Sequence, residues 1–208
     1  MGQVHRWRGV AAAALLLPLA VAGCSGEPAA AAVVVGESEI ELAEISDQLL
    51  DINEVLGLPP DAADPQRTNA IVTNNVVYEL IEQGATAAGV TVTETEVQQG
   101  LANQVAFAGG EEALAQVAAQ AGLAPDMIET DVRANLLAEG WATVLAEGQD
   151  VPGELQQQLL VVAVRDYSAT ADTTVNPRFG VWDATSLSVV EDPDAPSARG
   201  ELTVLGQP

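Results

Sequence analysis

Few residues in this sequence can do chemistry, and they are unevenly placed. One cysteine, Cys24, and one histidine, His5, stand near the start of a 208-residue chain. No lysine occurs, the seven positive side chains are all arginine, and 30 residues are Asp or Glu. Beyond Cys24 there is no histidine, lysine or thiol, so nucleophilic catalysis that needs a Cys or a His base is closed to that part of the chain. A zinc site of His/Cys type is closed for the same reason. Calcium loops space their oxygen ligands around a glycine turn, and no D-x-D-x-D-G pattern is present. Gly109-Gly110 lacks the G-x-x-x-x-G-K pattern that cradles phosphate. Paired carboxylates, as in glycoside hydrolysis, stay open in principle, yet among 30 acids a suitable pair arises by chance. No catalytic residue, metal ligand or cofactor is expected, and the chain reads as a non-enzyme.

The surroundings of Cys24 give it a different chemistry. His5-Arg6-Trp7-Arg8 supplies a positive start, and Val10 to Ala22 is an apolar run of 13 residues. That run is too short for a membrane-spanning helix, which needs about 20 residues, and has the layout of a secretory leader. It ends in Leu19-Ala20-Val21-Ala22-Gly23-Cys24, followed by Ser25-Gly26. An aliphatic residue at −3, small residues at −2 and −1 and cysteine at +1 resemble a lipobox. The resemblance implies a thioether diacylglycerol on Cys24 and cleavage before it, with residues 1–23 removed. Two or more acyl chains give stable anchoring, at about 0.8 kcal/mol per buried CH₂. The expected location is the extracytoplasmic face of a cell membrane, held by lipid on Cys24. A lone cysteine also excludes an internal disulfide.

Charge narrows the partners. The formal net charge is −23; removing residues 1–23 takes away Arg6 and Arg8 but no acid, which leaves five arginines against 30 acids, or −25. Such a surface repels phosphate backbones, which are bound by Lys and Arg, so no nucleic acid is expected as a partner. It also repels anionic headgroups, so membrane contact is expected through the lipid alone. The acidity itself is read as a solubilising surface, in preference to a cation site or an attractor of basic clients.

The elements that follow are mostly helices. Residues 24–32 form a lipidated cysteine and short tether, reaching at most about 28 Å at roughly 3.5 Å per residue. Val33-Val34-Val35, a turn at 36–39 and Ile40 read as a very short hairpin. Leu42, Ile45, Leu49, Ile52 and Leu56, spaced 3, 4, 3, 4, mark the apolar face of a first helix. A second spans about 66–88 with a broad stripe through Ile71, Val72, Val76, Val77, Leu80 and Ile81. Thr93 and Glu96 form a capping-box pattern for a third, whose inner face is Val97, Leu101 and Val105. A fourth covers about 111–121. A fifth has Pro125 in its first turn and runs to about residue 147 with Trp141 in its apolar face. Residues 154–171 fit a sixth helix better than a buried strand, because polar flanks extend Leu159–Val164 to helical length. Thr173-Thr174-Val175 turns strand-like, 182–190 alternates weakly, and 191–208 reads as a loose acidic, proline-containing tail. The fold class is therefore mainly α, in one domain over 33–190, with a small β element formed by the N- and C-terminal segments.

Two segments are informative together: Ala32-Val33-Val34-Val35-Gly36-Glu37 with Ile40-Glu41, and Val175-Asn176-Pro177-Arg178-Phe179-Gly180-Val181-Trp182-Asp183. Their pairing resembles the SurA/PrsA-like chaperone group, and especially the parvulin-less SurA N-terminal-domain lipoproteins, over about residues 32–185. Val35 stands where the family usually carries asparagine, so the turn there must be held differently. The resemblance implies a multi-helix SurA N-terminal-like domain, a cradle whose apolar inner surface holds unfolded or newly exported polypeptides. No gap between Gly148 and Val175 is large enough for a parvulin domain, so prolyl isomerase activity is not expected. Asn176, Pro177, Arg178 and Trp182 have two readings: client contacts, or a segment that pairs with Val33–Val35 and fixes the two ends of the domain. The second is preferred, with Arg178 tying down a carboxylate such as Asp183, and Trp141 belonging to the core.

The resulting expectation is a membrane-tethered holdase, which a large exposed apolar surface would favour. The alternative is a non-chaperone envelope interaction module with one dedicated protein partner, which would present a convex polar surface. A small-solute-binding lipoprotein would need a pocket with convergent polar groups.

Overall fold

The turn after Val35 begins the fold. In the computed structural model, which describes residues 31–146 and 151–193, Gly36 takes φ +58 and joins β1 (Ala31–Val35) to β2 (Ser38–Glu41) as a two-residue antiparallel hairpin. With no asparagine at position 35, the turn is held from outside. Gln83 Nε2 donates to the Val35 carbonyl at 2.9 Å and to Ser38 Oγ at 3.3 Å, and the Gly36 N–H donates to the Asp172 carbonyl at 3.1 Å. On the other side of β1 lies β3 (Thr173–Val175), antiparallel, with Val33 opposite Val175. The sheet order β2-β1-β3 joins the two ends of the described chain.

Among the described residues, six α-helices carry most of the mass. They are α1 (Leu42–Val55), α2 (Pro65–Ala87), α3 (Glu94–Ala108), α4 (Glu111–Gln120), α5 (Ile128–Leu145) and α6 (Gly153–Thr170). The fold is mainly α with a small sheet from the terminal segments, as the sequence predicts, and the ambiguous 154–171 segment is helical. Local chemistry sets the boundaries. Asp64 accepts from Gln66 N–H and Arg67 N–H at the start of α2, and Pro65 occupies the first turn, where a missing N–H costs nothing. Thr93 and Glu96 complete the capping box of α3, and Gly109, at φ +91, ends that helix in the left-handed region. Pro125–Met127 is a single 3₁₀ turn leading into α5.

The central helix is α2, whose Ile71, Val72, Val76 and Leu80 are fully enclosed. Trp141 of α5 crosses it at Gly84 and meets Tyr167 of α6 edge-on, with ring centroids 6.4 Å apart. The predicted core position of Trp141 is correct. Polar groups also sit inside: Gln48 and Asn75 exchange hydrogen bonds between α1 and α2, and Asn53 accepts from Arg67 at 2.9 Å.

The weak alternation of the 182–190 segment corresponds to two short strands. They form a second hairpin, β4 (Val181–Asp183) with β5 (Ser188–Val190). Asp183 explains the turn, because its carboxylate accepts from Thr185 N–H and Ser186 Oγ, both at 2.8 Å, and Leu187 takes φ 51. The expected tie from Arg178 to Asp183 is therefore not made; Arg178 lies over the Phe179 ring, 5.7 Å from its centroid.

Candidate functional site

The predicted inner face of α3 is only partly covered. Val97 is fully buried, whereas Leu101 and Val105, one and two turns later, are half-buried. Small residues on α3 and on its neighbour α4 explain why. Gly100 lets α3 approach α5 closely, where an added methyl would come within 2.7 Å of Val132 Cγ1. Beyond that crossing the facing helix is α4, which is short and brings Leu114 and Ala115 to the space. Alanine cannot fill the space a leucine would, and a hollow is left.

This hollow is an open groove of about 750 Å³ between α3, α4, the 3₁₀ turn and the start of α5. Leu101, Val105, Leu114, Pro125 and Ile128 form its apolar floor, and Gln98, Glu111, Asp126 and Glu129 stand at its polar edge. On the opposite side of the α3–α4 contact lies a second apolar hollow of about 410 Å³, lined by Phe107, Ala108, Leu114 and Val117 with Asn103 and Gln104. Leu114 lines both. Phe107, two residues before the Gly109-Gly110 connection, is 96% exposed, and Val117 is 61% exposed. A phenylalanine side chain so exposed loses the free energy that burial would give, about 1.5–3 kcal/mol.

Acids dominate the electrostatics. A third hollow, of about 500 Å³, adjoins the groove through Ala115, Pro125 and Asp126 and brings Asp51, Glu54 and Glu112 to it. Partial burial first, and the nearby Asp51 and Asp47 second, hold the Asp126 carboxyl above the usual carboxylate range. Glu44 is raised in the same way, by burial and then by Asp126, Glu41 and Glu79. Arg133 closes the other end. It lies 2.7 Å from Glu94 and 3.8 Å from Glu129, while Gln98 bridges the same two acids. Away from the groove, burial and Asp131 keep the Tyr78 phenol protonated; its hydroxyl lies 3.0 Å from Asp131 Oδ1. Among the described residues no cluster of three or more acids is placed to hold a metal ion, and no helix is long and apolar enough to cross a membrane.

The residues singled out from sequence near the C-terminus lie elsewhere. The Asn176 N–H donates to the Ala32 carbonyl at 2.8 Å and its side chain to the Ala31 carbonyl at 3.0 Å, so it extends the β1–β3 pairing. Trp182 Nε1 donates to buried Ser168 Oγ at 2.8 Å. These contacts fit the preferred reading, that the segment fixes the ends of the domain. Pairing with β1 is made by Thr173–Val175, and the motif enters it through Val175, opposite Val33, and through Asn176, which bonds to Ala32, while Pro177 to Asp183 lie beyond it. Cys24 lies outside the described residues. Phe107, Leu114 and Val117 were not anticipated from sequence. The available signal was the helical offset of Phe107, about 200° from Val105, which puts one of only two phenylalanines on the outward face of α3.

A family model described as SurA-like N-terminal domain matches residues 5–142. The match takes in β1 and β2, α1 to α4 and most of α5, and stops before α6 and the returning strands. No curated protein matches the chain, and no solved structure does.

Proposed function

The chain belongs to the SurA-like N-terminal domain family, and from that premise we propose that it is a membrane-tethered extracytoplasmic holdase for unfolded or newly exported polypeptides. The observation that carries this reading is the uncovered apolar surface of the α3–α4 hairpin: the groove floored by Leu101, Val105, Leu114 and Ile128, and the exposed Phe107 and Val117 beside it. An extended client segment would lay apolar side chains into the groove and exclude water from both surfaces. Burial is worth about 25 cal/mol per Å² of apolar area, and association costs at least several kcal/mol in lost freedom. A few buried side chains therefore give weak, reversible binding, which suits a holdase and needs no nucleotide. The wide mouth and apolar floor are better matched to varied segments than to one solute, since a solute site needs convergent polar groups.

Lipid on Cys24 would keep the groove near the membrane that exported chains cross. Prolyl isomerase activity is not part of the proposal, because α5 ends at Leu145 and α6 starts at Gly153, leaving no room for an inserted catalytic domain. The test is light scattering of a chemically unfolded client, with residues 24–208 carrying Cys24→Ser added at equimolar to several-fold ratios. Suppression of aggregation well beyond that of an equally acidic control protein is expected. Scattering unchanged across several unrelated clients would overturn the reading.

A further inference from the structure

The charge around the groove bears on which segments it takes. Glu111, Asp126 and Glu129 stand at its edge, and Asp51, Glu54 and Glu112 line the hollow that adjoins it through Asp126. No arginine lines either hollow. Arg133, the nearest cation by sequence, is engaged with Glu94 and Glu129. An occupant that covers the apolar floor thus ends against carboxylates on the α4 and 3₁₀-turn side. Covering those carboxylates costs hydration, and that cost is offset only where the occupant brings positive charge to them. A second copy of this chain is a poor occupant, because it carries five arginines against 30 acids once residues 1–23 are set aside.

We propose that the groove selects apolar polypeptide segments flanked by lysine or arginine, with the apolar part on Leu101, Val105, Leu114 and Ile128 and the flanking cations against Glu111 and Asp126. This rests on the holdase reading and gives it a substrate class. The acidity has a directed part at this site, in addition to the general solubility it confers on the chain.

The experiment uses residues 24–208 carrying Cys24→Ser and three labelled peptides that share one Leu/Phe-rich centre and carry Lys, Gln or Glu on both flanks. Fluorescence anisotropy is read at low salt and at about 1 M salt, where the screening length falls to about 3 Å. The Lys-flanked peptide is expected to bind about tenfold more tightly than the Gln-flanked one at low salt, with the Glu-flanked one weakest, and the preference should vanish at high salt. The double variant Glu111→Gln/Asp126→Asn should lose most of the preference, so that the Lys- and Gln-flanked peptides bind it about equally. A control double variant, Glu154→Gln/Asp166→Asn on exposed positions of α6, changes net charge equally and should keep the preference. Equal loss of preference in both double variants would mean that overall charge, not this edge, does the selecting, and would overturn the proposal. So would equal binding of the Lys- and Gln-flanked peptides at low salt, which leaves the holdase reading standing if both bind and both are weakened by Leu114→Ser. Absence of binding by all three peptides would overturn the holdase reading, and this proposal with it.

Discussion

Trp141 sits over Gly84, where an added methyl would lie 2.6 Å from indole Cζ3, and its other side meets the Tyr167 ring. Three helices thus converge on one side chain. Gly84→Ala must push α5 off α2, and a loss of about 1–3 kcal/mol is expected for such overpacking, read as a lower urea midpoint with an unchanged slope. The start of α3 depends on one hydroxyl: Thr93→Ala removes the bond to Glu96 N–H and half of the capping box, costing about 1 kcal/mol. Both features differ in legibility. The capping box is a local pattern and can be read from Thr93 and Glu96 alone. The Gly84–Trp141 contact joins residues 57 positions apart, and periodicity says that Trp141 faces inward but not what it meets. The buried exchange between Gln48 and Asn75 was hidden for the same reason, since each polar residue alone reads as solvent-facing. At Cys24, the lipidation proposal predicts that Cys24→Ala moves the full-length protein from the membrane to the soluble fraction on cell fractionation.

The α3–α4 hairpin is the element on which the functional reading turns. Its helices and their ends were legible in the Thr93 cap, the Val97–Leu101–Val105 spacing and the Gly109-Gly110 break. Its half-open state was not, because an apolar stripe looks the same in sequence whether the neighbour covering it is leucine or alanine. Phe107→Ser should change stability by no more than about 0.5 kcal/mol, as befits an exposed site, while clearly weakening suppression of client aggregation. The contact of α1 with the 3₁₀ turn makes a separate prediction about pH. Burial first, and neighbouring acids next, raise the folded-state pKa of Glu44 and Asp126 above their unfolded values. The folded state thus binds protons there more tightly than the unfolded state does. Their ionised forms oppose folding at neutral pH, and stability rises as pH falls through their raised range. Further acidification reverses the trend, as carboxylates with lowered pKa, such as Glu94 beside Gln98 and Arg133, lose their charge. Urea unfolding at stepwise lower pH should show this rise, and Asp126→Asn should flatten it.

At the scale of the whole molecule, a small sheet joins the two limits of the helical region while the helices between them carry an open apolar surface and many acids. This junction was foreseeable because Val33–Val35 and Thr173–Val175 are both short, β-branched and placed at the limits of the helical region. The β4–β5 hairpin was not, because its turn depends on Asp183 binding its own backbone neighbours, and its seat on α2 comes from Asn69 and Thr73, which bond to Val189. The high net charge fits a protein that must expose apolar surface without self-association, since like charges keep copies apart.

The central claim is that unfolded polypeptide occupies the α3–α4 surface, and a photo-reactive side chain placed at Phe107 tests it most directly. A second probe at Arg165, exposed on α6, serves as the comparison. With one chemically unfolded client added during dilution, cross-links are expected at position 107, to be scarce at 165, and to be absent when the same client is folded. Equal cross-linking at both positions, or none at 107 under conditions where aggregation is suppressed, would contradict the account.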